Sequence, residues 1–77
     1  MAKNKPDLSH LAEKWPSSIV ARDQIREFTG GALGPGRIAN LDSEGKGPPG
    51  RMKIGRKIAY PVNELVEWLE NRTQNLS

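Results

Sequence analysis

The chain has no cysteine, one histidine, one phenylalanine, one tyrosine and two tryptophans among its 77 residues. Without cysteine there is neither a disulfide framework nor a thiolate metal site, and a lone histidine cannot make a zinc centre. No apolar run approaches the roughly 18 residues that a membrane span needs, and no signal-peptide core follows Met1. A soluble, cytoplasmic protein is the expectation, and the glycosylation patterns at Asn71 and Asn75 carry no meaning without secretion. Hydrophobic residues are scarce at 35%, and a chain this short buries only roughly 60% of its unfolded surface. It can build one small domain. No nucleophile–base pair and no metal-ligand cluster is visible, so neither catalysis nor a cofactor is expected.

Acid is missing from one stretch. Residues 46–60 hold five of the twelve Lys and Arg residues and no Asp or Glu, while the rest carries seven bases against nine acids. The net charge of +3 therefore arises here. The stretch also reads as a β-hairpin. Residues 51–54 and 57–60 alternate polar and apolar side chains, and Gly55-Arg56 stands between them with glycine where a type II′ turn requires it. Alternation predicts Met52, Ile54, Ile58 and Tyr60 on one face and Arg51, Lys53 and Lys57 on the other. A ribbon that is apolar beneath and cationic outside suits a polyanion, and it reads as a DNA-binding wing.

Taken in order, residues 1–16 form a polar, disordered tail followed by a short covering helix. Asp7 is placed to cap that helix, Leu8, Leu11 and Trp15 share a face, and Pro16 ends it. His10 is expected in solvent, and Lys3 and Lys5 are weak candidates for DNA contact. Residues 17–72 are the domain proper. An extended lead-in at 17–20 precedes a helix expected over 21–29, with Ala21, Ile25 and Phe28 inward, and Gly30-Gly31 stops it. A second helix starts at Gly34-Pro35, where glycine caps and proline takes the first helical position, and it ends before Gly45. Ile38 and Leu41 turn inward; Arg37 and Asn40 share a neighbouring outer face. Two short helices joined by a glycine-containing turn form a helix-turn-helix. A last helix opens at Pro61, with Leu65, Trp68 and Leu69 on its apolar side and Glu64, Glu67 and Glu70 opposite. Residues 73–77 are expected to fray. The fold class is α+β, a winged helix-turn-helix of three to four short helices with a two-stranded hairpin.

Residues 22–25 (Arg-Asp-Gln-Ile), Thr29-Gly30-Gly31, Leu41, Gly45-Lys46-Gly47-Pro48-Pro49, residues 54–61 (Ile-Gly-Arg-Lys-Ile-Ala-Tyr-Pro) and the Glu67-Trp68-Leu69 helix together resemble the excisionase and AlpA-like family. These are small winged-helix proteins related to the DNA-binding domain of MerR regulators, and the resemblance covers about residues 19–72. It implies a phage or prophage accessory protein, nucleoid-associated, that binds and bends attachment-site double-stranded DNA and directs an integrase toward excision, several copies acting on adjacent sites. No effector domain follows, so no small-molecule effector is implied. The family usually begins its recognition helix with Ser or Thr; Gly34 stands there here. An AlpA-like regulator and a packaging-complex DNA-recognition domain remain alternatives, as does a protein-interaction module that binds no DNA.

By position, Gly36, Arg37 and Asn40 fall on the recognition helix, and the chemistry of Arg and Asn suits guanine and adenine edges. Arg51, Lys53, Arg56 and Lys57 belong to the wing, with Arg22 and Lys46 as further phosphate contacts. Charged tips can simply protect a sheet edge, which accounts for one lysine but not for five bases without an acid. Trp15, Phe28, Trp68 and Tyr60 are expected in the core. Residues 31–38 superficially resemble a phosphate loop, yet Arg37 and Ile38 stand where Lys and Ser/Thr are needed.

Overall fold

Glycine and proline punctuate this chain, and the regular elements fall between them. The structure is a computed structural model that describes residues 6–74. In order it contains α1 (Ser9–Lys14), β1 (Ile19–Ala21), a 3-10 turn (Arg22–Gln24), α2 (Ile25–Phe28), α3 (Pro35–Ser43), β2 (Met52–Ile54), β3 (Lys57–Pro61) and α4 (Val62–Arg72). Among the described residues the class is therefore α+β, with four α-helices and one antiparallel sheet of order β1-β3-β2. The expected N-terminal tail, with Lys3 and Lys5, lies outside the described residues except for Pro6, and so do residues 75–77 of the expected C-terminal tail.

The helices stop and start where local chemistry dictates. Gly34 occupies the N-cap of α3 in an extended conformation and Pro35 takes the first turn, where its missing N–H costs nothing. At the other end Gly45 has φ +77°, and the Lys46 N–H donates back to the Leu41 carbonyl at 2.8 Å. That left-handed residue lets the chain close the last turn and leave. Gly30 and Gly31 end α2 in the same way, with φ of +68° and +93°. Pro61 caps α4.

Expectations fail at two places in the sheet, each for an identifiable reason. Ala21 is not helical: it ends β1, which pairs with β3 through Ile19–Pro61, Val20–Tyr60 and Ala21–Ala59. The lead-in thus becomes a third strand beside the expected two, because β3 offers it a free ladder of backbone groups. The second failure concerns the hairpin faces. A two-residue turn makes Ile54 and Lys57 direct cross-strand partners, and such partners point to the same side. Met52, Ile54, Lys57 and Ala59 consequently share one face, and Lys53, Ile58, Tyr60 and Val20 share the other. Alternation holds within each strand; the turn changes its phase between them.

Central β3 is buried on both faces, at Ala59 and at Tyr60. Val20, Ile25, Phe28, Ile38, Tyr60, Val62, Leu65 and Val66 form the core, and Leu8, Leu11, Trp15, Trp68 and Leu69 pack against it half-buried. The α1 segment is tied down at both ends. The Leu8 N–H donates to Glu70 Oε2 at 2.8 Å, while Trp15 meets Phe28 edge-on at 5.3 Å and donates its indole N–H to the Ile19 carbonyl at 2.8 Å. Asp7 accepts from the Ser9 amide rather than occupying the N-cap, which is Leu8; that bond holds its carboxyl below the usual range.

Candidate nucleic-acid interface

A nine-residue helix turns through 100° per residue, so α3 presents three distinct sides. Ile38 and Leu41 are buried in the core. Ala39, Asp42 and Ser43 line a groove whose other wall is Met52, Lys53 and Ile58 of the hairpin, with Arg22 and Arg51 at its margin. Gly36, Arg37 and Asn40 are exposed; Asn40 and Gly36 adjoin the groove side, and Arg37 lies at the edge farther from the hairpin. A second shallow groove runs between Pro35 at the start of α3, Asp23 beside it, and Arg56 and Lys57 at the hairpin tip. The outer side of α3 and the cationic hairpin therefore border one continuous surface.

The joint between them is a buried carboxylate that the residue pattern did not single out. Asp42 leaves α3 with a side chain only 4% exposed. Its Oδ2 accepts from Arg22 Nη2 at 2.6 Å and from the Tyr60 hydroxyl at 2.6 Å. Arg22 Nε donates in turn to the Tyr60 oxygen at 3.0 Å. One network thus fastens helix α3, the turn after β1 and the central strand. Burial and the Asp42 bond push the Tyr60 hydroxyl up to about 12. For Arg22 burial opposes the charge, but the bonds to Tyr60 and Asp42 outweigh it and its pKa is raised. A polar residue in an amphipathic helix is ordinarily solvated; the signal that could have found Asp42 is that it follows Ile38 by four residues and so flanks the inward side.

Gly47 completes the joint. A Cβ there would collide with Asp42 Oδ1 and stand 2.9 Å from its Cγ, so only glycine lets the connector pass over the carboxylate. Trp68 anchors the same connector by donating to the Lys46 carbonyl at 3.0 Å. The Arg72 guanidinium lies over the Trp68 ring at 4.9 Å. Arg26 lies over Gly34, and Thr29 staples the preceding turn through its hydroxyl, which donates to the Ile25 carbonyl at 2.9 Å and accepts from the Leu33 amide at 3.1 Å.

The predicted cations do not all stand alike. Arg37, Lys46, Lys53 and Arg56 are exposed and, among the described residues, enter none of the ion pairs. Arg51 is half-exposed at 49% and stands 3.7 Å from Asp42 Oδ1. Lys57 is exposed but bonded to Asp23. Arg22 is committed inward to Asp42 and Tyr60, with 26% of its side chain exposed; its role here is that of a strut. On α4, Glu64 and Glu67 are exposed, and the Glu64 carboxylate lies over Gly50 of the connector. Among the described residues no three His, Asp or Glu side chains gather to hold a metal, and no helix is long and apolar enough to cross a membrane. Comparison of the chain with family models, curated proteins and solved structures finds no match to any of them.

Proposed function

We propose that the chain is a sequence-specific, non-enzymatic DNA-binding protein of winged-helix form, in which α3 reads a major groove and the β2–β3 hairpin lies against the adjacent backbone and minor groove. One observation carries this reading. The acid-free run of residues 46–60 lies beside the exposed outer side of α3, and Asp42 locks the helix to the sheet. A duplex needs both elements held at a set separation, since phosphate contacts position a protein and base-edge contacts specify its site. Arg37 and Asn40 supply bidentate base chemistry. Lys46, Arg51, Lys53, Arg56 and Lys57 supply phosphate contacts.

The resemblance to excisionases extends this to a recombination directionality factor that bends attachment-site DNA beside an integrase. Further copies occupy neighbouring sites. An integrase gene next to this one supports that role, whereas a terminase gene points to packaging. Six exposed cations (Arg37, Lys46, Arg51, Lys53, Arg56, Lys57) at a slope of about 0.9 per phosphate predict that affinity falls about 10³-fold between 50 and 200 mM salt. Titrating attachment-site duplex at several salt concentrations, with amide chemical shifts recorded alongside, tests the reading. Perturbation of α3 and the hairpin with a steep salt slope supports it. A flat slope, or shifts confined to another face, refutes it.

A further inference from the structure

Hairpin register leaves one apolar side chain stranded. Ile54 faces the same way as Lys57 and is 51% exposed, the one large hydrophobic side chain so uncovered among the described residues. Single exposed apolar residues are common on surfaces and need no special account. The position of this one is what gives it content. Ile54 adjoins the turn itself, where Gly55 has φ +62° and nothing lies within 4 Å of the place a Cβ would occupy. The tip is accordingly narrow and unobstructed. Arg56 follows in the turn and Lys57 stands across the strand, both exposed; Asp23 is the acid that meets this end, bonded to Lys57.

An apolar group set between cations on a slender projection fits a polyanion with an apolar interior. Duplex DNA has that build, phosphates outside and stacked bases within. Proteins that enter the minor groove combine Arg or Lys with an apolar wedge that partly unstacks a base step and kinks the helix by about 20–90°. We propose that Ile54 is such a wedge, entering the groove at the hairpin tip and opening one base step. The proposal rests on the DNA-binding reading above. Docking onto another protein is the weaker fit, because among the described residues no other exposed large hydrophobic side chain extends the patch.

The test uses the whole chain and a duplex with a central TpA step, the most easily opened kind, in which 2-aminopurine replaces the adenine of that step. Binding is followed at low salt by anisotropy, unstacking by 2-aminopurine fluorescence and bending by energy transfer between the duplex ends. Ile54→Thr keeps the β-branched shape and hence the strand; Ile54→Leu keeps the apolar volume. The wild-type chain and Ile54→Leu are expected to raise 2-aminopurine fluorescence and bend the duplex. Ile54→Thr is expected to lose both and to bind about tenfold more weakly, the loss that uncovering roughly two methyl-sized groups entails. Circular dichroism of the variants is expected to match the wild type. If the duplex is bound without unstacking, or Ile54→Thr behaves as wild type, the wedge is refuted while DNA binding stands. If no duplex is bound at all, the reading beneath it fails. A change in self-association alone, with DNA binding intact and unaltered, assigns Ile54 to a protein contact and also overturns the wedge.

Discussion

Removing the Asp42 carboxylate is expected to cost about 2–3 kcal/mol of folding stability. The side chain is only 4% exposed and accepts two bonds of 2.6 Å, one from the Arg22 guanidinium and one from the Tyr60 hydroxyl. A hydrogen bond to a charged group is worth about 1.5–3 kcal/mol, and breaking a fully buried ion pair costs about 3–5 kcal/mol. Arg22 keeps 26% of its side chain in solvent, so water recovers part of what it loses and the lower figure applies. A chain of this length holds about 4–11 kcal/mol in all, at about 0.05–0.15 kcal/mol per residue. Asp42→Ala is thus expected to lower Tm by about 10–20 °C, at about 4–8 °C per kcal/mol. Asp42→Asn keeps the volume and one acceptor and is expected to lose about half as much. Urea unfolding followed by circular dichroism and tryptophan fluorescence measures both. The reasoning is refuted if Asp42→Ala costs less than about 0.5 kcal/mol, or if its cost and that of Tyr60→Phe simply add in a double-mutant cycle, since members of one network couple.

The chain's single tyrosine gives a pH test, because the Tyr60 hydroxyl is pushed up to about 12 from an ordinary value of 10.0. A folded-state pKa above the unfolded one means that its contribution is complete below pH 10 and is lost as pH climbs toward 12; an ultraviolet titration of the native chain with its midpoint near 10 contradicts this. Gly47→Ala is expected to cost about 1–3 kcal/mol because Asp42 cannot move aside, whereas Gly36→Ala meets nothing within 4 Å and is expected to gain up to about 1 kcal/mol. Equal effects in chemical denaturation dispose of the steric explanation. Asp23→Asn frees Lys57 from an exposed pair, so folding stability is expected to stay within about 0.5 kcal/mol while duplex affinity at low salt rises a few-fold. Unchanged affinity removes Lys57 from the proposed interface.

Local chemistry made several features legible before any tertiary contact was known. Gly34-Pro35 and Gly45 bracket α3, Pro61 opens α4, and Gly55-Arg56 turns the hairpin, because each depends on the φ that glycine or proline permits over a few residues. The inward faces of Ile38, Leu41 and Leu65 followed from helical spacing, and the acid-free run 46–60 from a count of charges. Arg22 shows where such reading stops. A surface arginine and a buried strut have the same local pattern, and only the fold brings Asp42 and Tyr60, 20 and 38 residues away, within reach of its guanidinium.

By itself the chain of letters determined which segments turn, which coil into helices and where positive charge accumulates, since those are properties of neighbours along the backbone. Pairing decided the rest. Whether residues 19–21 continue a helix or join a sheet depended on a free edge at β3, forty residues distant in the chain. Which side of the hairpin Ile54 occupies depended on cross-strand register, and a register is a relation between two strands that neither carries alone.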